Sequence, residues 1–227
     1  AVRNAIGART RAMIINTPTN PTGAAYDRAT LEMLARLARE YDMLVLADEI
    51  YTRYLFDGEF IPMRTLPGMA GRTVTLNSFS KNFLMTGWRV GYIIAHPELI
   101  SVFQYVNDGL TYVAPSVSQR AAIKALELRN EIADEYITQY RSRVYYAADC
   151  IEKIPYLTLF RPRGTFYLFP GIAKTGMGDR EFCAFLLEKA HLLVSPGCVF
   201  GQAGQGHFRI ACTVSQEKLA EAMQRLA

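Results

Sequence analysis

Four short apolar runs limit what this chain can fold into. Arg11–Asn16, Leu44–Ala47, Thr73–Leu76 and Val90–Ala95 are too short for ordinary helices and are dominated by Ile, Val, Leu and Thr. The first two read as buried strands, and the other two continue the series. Between the first and second, residues 27–41 place Leu31, Leu34, Leu37, Ala38 and Tyr41 on one helical face, with Asp27 as N-cap. Strands alternating with helices or long loops predict an α/β sheet, in which ligand-binding groups collect beyond strand ends. Asn20, Asp48 and Ser78–Lys81 all fall at such ends.

Downstream, residues 97–128 are mostly helical, with interruptions expected around Gly109 and Pro115, and residues 131–152 form a further amphipathic helix. The character then changes. Residues 156–160 and 165–169 read as a strand pair around Arg161-Pro162-Arg163-Gly164. A helix at about 179–190, strands near 192–195 and 207–212, and a last helix at about 215–226 complete an α+β unit. A domain boundary is expected near residue 125, giving domains 1–125 and 126–227.

Bulk properties exclude several classes. The net charge of +4 over 227 residues is dispersed, with no basic arm and a single tryptophan, so nucleic acid is not the expected partner. No stretch approaches the ~18 apolar residues that span a bilayer, and the first residues lack a signal peptide's charged head and apolar body. The four cysteines, Cys150, Cys183, Cys198 and Cys212, show no Cys-x-x-Cys spacing and read as buried, reduced thiols. The three histidines are scattered, so no metal is expected. A cytoplasmic protein is the natural reading.

The chemistry concentrates at Asn77-Ser78-Phe79-Ser80-Lys81, which continues to Gly87-Trp88-Arg89-Val90-Gly91. A lysine behind two hydroxyls, with an arginine eight residues on, can form a Schiff base while its neighbours hold a phosphate. Pyridoxal 5′-phosphate needs that combination. Asp48, at the end of an apolar run, needs a cation, and a protonated pyridine nitrogen is one. Tyr51 can reach the same ring with its hydroxyl. The Asn20 amide can donate to a phenolate oxygen in a turn stiffened by Pro21, through a cis peptide in one reading. Arg209, flanked by Phe208 and Ile210, suits bidentate capture of a carboxylate. Each residue alone has an ordinary alternative: a surface lysine, a capping aspartate, a packed tyrosine, a turn, a structural ion pair.

Together these segments resemble the class I and II aminotransferases, fold-type I pyridoxal phosphate enzymes of the aspartate aminotransferase superfamily. The resemblance is carried by Asn20-Pro21-x-Gly23, Asp48-x-x-Tyr51, Ser78-x-Ser80-Lys81, Gly87-Trp88-Arg89-x-Gly91 and Phe208-Arg209-Ile210, in order along essentially the whole chain. It implies that Lys81 forms the Schiff base and shuttles the proton, and that Asp48 pairs the pyridine nitrogen. Asn20 and Tyr51 would hold the phenolate oxygen, and Ser78, Ser80 and Arg89 the phosphate. Arg209, with Asn20, would take the substrate α-carboxylate. The reaction implied is ping-pong transfer of an amino group from an amino acid to a 2-oxo acid.

The resemblance also implies an α/β fold. Residues 1–125 would be the remaining part of a mostly parallel large-domain sheet with flanking helices, and residues 126–227 a small α+β domain. Family members carry a further stretch of about 150 residues before the position of Ala1. The chain alone is therefore expected to expose sheet edges and an apolar face, to bind cofactor weakly and to transaminate poorly; a homodimer is expected of the full-length family. A carbon–sulfur lyase on the same scaffold, or the pyridoxal phosphate-sensing domain of a transcriptional regulator, would use the same residues. Gly109–Ser118 contains no arginine or lysine to meet a distal carboxylate, which favours neutral or aromatic amino acids.

Overall fold

The computed structural model describes the backbone of residues 1–227 and every side chain except those of residues 133 and 134. The chain divides into two compact units. The first holds Ala1–Thr17, Tyr26–Arg53 and Gly58–Asp134; the second holds Pro18–Ala25, Tyr54–Asp57 and Glu135–Ala227. The chain is of mixed α/β class.

The first unit is built on a four-stranded sheet of β1 (Ala12–Asn16), β2 (Leu44–Asp48), β3 (Thr73–Ser78) and β4 (Gly91–Ile94), in that spatial order. The first three are parallel and β4 runs antiparallel to β3. Helix α1 (Arg28–Glu40) forms because its apolar residues recur at helical spacing and Asp27 caps it, its Oδ1 accepting from Thr30 N at 2.9 Å. Leu31, Leu34, Ala35 and Ala38 pack with Ile15, Val45, Ala47, Met63 and Met69 into one core. Asn16 stands beside Asp48, and Asp48 beside Leu76, so the carboxyl ends of the parallel strands are level.

The expectation of a fully buried first strand needs correction. Ile15 is 5 % exposed but its neighbour Ile14 is 74 % exposed. Strand side chains alternate between faces, and the core of α1 lies on only one of them. β4 is exposed along its length, and α2 (Pro97–Leu110) contains no buried residue, with Tyr105 83 % exposed. The apolar face expected from the sequence is thus present in this unit. Gly109 does not interrupt the helix. The chain leaves α2 at Thr111, where Asn107 O accepts from both Thr111 N and Tyr112 N and Tyr112 turns left-handed, before α3 (Ser116–Glu127) begins.

Helix α4 (Arg129–Ile151) follows, and in the second unit it buries Val144, Ala147, Ala148 and Ile151. The small sheet has the order β5 (Tyr167–Leu168), β7 (Phe208–Ala211), β6 (Ser195–Pro196), antiparallel throughout. Helix α5 (Asp179–Phe185) runs on into a π-helical stretch over Leu186–Ala190, and α6 (Gln216–Leu226) is capped by Ser215.

The strand pair expected from 156–160 and 165–169 does not form. Thr158 instead exchanges hydrogen bonds with Gly171, while Tyr167 and Leu168 pair with β7. The intervening turn is committed elsewhere, because Gly23 O accepts from Arg163 N at 2.8 Å and Gly164 N at 3.0 Å. All four cysteines are free thiols, but only Cys183 and Cys212 are buried; Cys150 and Cys198 are half-buried.

Candidate active site

In the first unit the sheet delivers Asp48 at the end of β2. Its carboxylate accepts from Ile50 N at 3.3 Å and has no cationic partner among the described residues. Burial pushes its pKa up, and the Ile50 bond offsets this only in part. The neighbouring Glu49 is buried and accepts from Met63 N at 3.0 Å; its carboxyl is raised too, chiefly by burial. Tyr51 is buried three residues after Asp48.

The end of β3 turns directly into the short helix Phe79–Asn82, which carries Ser80 and a half-buried Lys81. Ser78 starts that turn. Its Oγ accepts from Ser80 N at 3.0 Å and donates to Val90 O at 3.2 Å, so the hydroxyl proton is engaged in this conformation. Arg89 is exposed and left-handed at φ 53°, a strained conformation for a residue with a side chain. Its Nη1 donates to Thr86 O at 2.9 Å. The Ser78 and Arg89 segments are therefore joined through the Val90 carbonyl, while the guanidinium itself turns to its own loop.

Two organising residues carry no signal that the motif reading used. Buried Asn82 donates to Thr52 Oγ1 at 2.8 Å and accepts from Arg53 N at 3.3 Å, tying the lysine turn to the residues after Tyr51. Asn77 Oδ1 accepts from Ser78 N and from Asn82 Nδ2. A pair of asparagines bracketing Ser78–Lys81 was the available clue, since amides satisfy irregular backbone.

In the second unit Asn20 is set in a loop closed by Gly23. Asn20–Pro21 is cis, and Gly23 N donates to Thr19 O at 2.8 Å. Gly23 has φ +71°, and a Cβ there would press on Gly164 O at 2.8 Å and on the Pro162 side chain, so only glycine fits. Asn20 Oδ1 accepts from Arg209 Nη1 at 2.9 Å. Arg209 projects from β7, and its Nε is buried without a hydrogen-bond partner among the described residues. A cation in a preset plane with an unfilled donor suits a planar carboxylate.

No group of His, Cys, Asp or Glu that could hold a metal ion occurs among the described residues, and none of their helices is long and apolar enough to cross a membrane. The sequence model of the family described as aminotransferase class I and II matches residues 1–226. The chain belongs to that family. Among class I and II aminotransferases it is 39 % identical to aromatic-amino-acid aminotransferase 2 of Thermococcus litoralis, covering 96 % of this chain and 57 % of that protein. It is 38 % identical to the arginine–pyruvate transaminase AruH of Pseudomonas aeruginosa, over 96 % of this chain and 56 % of that protein. The crystal structure of an aromatic aminotransferase from Pyrococcus horikoshii superposes with a TM-score of 0.96 at 36 % identity, over 99 % of this chain and 61 % of that one. The chain thus spans somewhat over half the length of the class I and II relatives it matches.

Proposed function

We propose that the chain is the lysine-bearing part of a pyridoxal phosphate-dependent aminotransferase acting between an amino acid and a 2-oxo acid. The observation that carries this reading is the Asp48 carboxylate, half-buried at a parallel strand end with no cation to pair it among the described residues. Such a group fits the protonated pyridine nitrogen of the cofactor, whose ring, when bound, supplies an electron sink for the substrate Cα. Asp48 would hold that nitrogen protonated. Lys81 would supply the amine that captures the cofactor aldehyde, and its Nζ would later carry the proton to and from the substrate. Tyr51 and Asn20 would donate to the phenolate oxygen, and Ser80, Ser78 and Arg89 would hold the phosphate, Ser78 after releasing Val90 O. Arg209, steadied by Asn20, would bind the α-carboxylate.

Domain roles follow the same reading, with residues 1–125 belonging to the cofactor-binding domain and 126–227 to a small domain. The whole protein is proposed to be a cytoplasmic homodimer that uses neither membrane nor nucleic acid. The names of the relatives, aromatic and arginine–pyruvate aminotransferases among them, support amino-group transfer over a lyase or a cofactor-sensing regulator. The test is borohydride trapping. Pyridoxal phosphate is added to the purified chain, the adduct is reduced, and peptide masses locate the label. Label on Lys81, reduced in Asp48→Asn, supports the reading; label spread over the surface lysines overturns it. Stoichiometric conversion of a 2-oxo acid to an amino acid by the whole protein then separates a transaminase from a lyase.

A further inference from the structure

Two aromatic rings stand against the Arg209 guanidinium. Its central carbon lies 4.4 Å from the Tyr167 ring centroid and 4.9 Å from that of Phe200, both within cation–π range. Neither ring is loosely held. Tyr167 is buried on β5, opposite Ala211 of the strand that carries Arg209. Phe200 meets Phe169 edge-on at 5.8 Å, and Phe169 in turn stacks on His207 at 5.0 Å with ring planes 4° apart.

The backbone before Phe200 is pinned as well. Gly197 N donates to His207 O at 2.8 Å, and the Asp179 carboxylate accepts from Cys198 N. Gly197 and Gly204 approach so closely that a Cβ on Gly197 would collide with Gly204 O and come within 2.6 Å of His207 O. The sequence thus spends two glycines to set one phenylalanine.

The donors of Arg209 complete the picture. Nη1 is committed to Asn20 Oδ1, while Nε is buried with no acceptor among the described residues. A buried N–H without an acceptor is costly, and one in a candidate binding site points to a missing ligand atom. We propose that Tyr167 and Phe200 are positioning residues that fix the plane of the Arg209 guanidinium, and that a ligand carboxylate completes its hydrogen bonding at Nε. This rests on the reading of Arg209 as the α-carboxylate ligand. The rings remove rotamer freedom that the long arginine side chain would otherwise lose on binding.

The test uses the full 227-residue chain and 3-phenylpropionate, a carboxylate without an amino group, titrated calorimetrically. Phe200→Leu and Tyr167→Leu should each weaken binding about five- to tenfold, whereas Phe200→Tyr and Tyr167→Phe, which keep a ring, should stay within about twofold of wild type. Arg209→Leu should abolish binding. If Arg209→Leu binds as well as wild type, or wild type does not bind, the reading of Arg209 as a carboxylate ligand fails. If Arg209→Leu abolishes binding but the leucine variants bind like wild type, only the positioning role fails. A second measurement reads the wild type itself and uses a conservative variant only for assignment. The Arg209 Nε–H cross-peak in the nitrogen–proton spectrum of the wild type, assigned by its loss in Arg209→Lys, should shift on saturation with 3-phenylpropionate. An unmoved peak overturns the assignment of Nε.

Discussion

Arg209 Nη1 donates to Asn20 Oδ1 over 2.9 Å although 189 positions separate the two residues in sequence. Both lie in the second unit, so the Asn20 loop belongs to that unit's fabric even though the strand before it and the helix after it belong to the first. The bond is charge-assisted, and its loss strands a donor on a half-buried cation. Asn20→Ala should therefore cost about 2 kcal/mol of stability. Urea unfolding of Asn20→Ala, Arg209→Leu and the double variant should show the two losses to be less than additive.

Asp48→Asn should stabilise the free chain and weaken its hold on cofactor. The Asp48 carboxyl is pushed above its ordinary 3.8 by burial, so the native state binds its proton more tightly than the unfolded chain does. Stability is thus lost as pH rises from about that ordinary value through the raised native one. In thermal melts the advantage of Asp48→Asn should grow across this window and then level off. Borohydride-trapped cofactor should fall in the same variant.

Gly197→Ala should destabilise the second unit by about 2 kcal/mol, because the added methyl meets backbone carbonyls that cannot turn aside. Chemical denaturation followed by tyrosine fluorescence would measure it. Gly7→Ala, where a Cβ meets nothing within 4 Å, is the matched control and should change little.

Burial pushes the Cys212 thiol up to about 12 and the Cys183 thiol up to about 11. Thiolate is the reactive form, so maleimide should label the half-buried Cys150 and Cys198 first. Peptide mapping of the native chain should find Cys212 unmodified until denaturant is added.

The sheet of the first unit was legible because its signals are local. Val45 and Ala47 sit in an uninterrupted apolar run, and Asp27 stands where α1 needs a cap. The Asn20, Asp48 and Lys81 motifs were legible as strings, and the family to which they pointed matches residues 1–226. Partner choice was not. Thr158 and Phe160 alternate like strand residues, but Gly171 is the partner of Thr158, and Phe160 is left 60 % exposed. Nor could spacing show Phe200 against Arg209, since that contact depends on the close approach of Gly197 and Gly204. The exposed side of β1 was hidden for a related reason. Ile14 and Ile15 are chemically alike, and only the placement of α1 decides which is covered.

Helix α2 has 14 residues and buries none of them. A helix of that length is marginal on backbone hydrogen bonds alone, and helices in folded proteins ordinarily depend on a covered face. Its amide protons should consequently trade with deuterium through local opening, far faster than those of α1, whose Leu31 and Ala38 are sealed in the core. Whatever comes to cover Tyr105 would register first as a slowing of that clock.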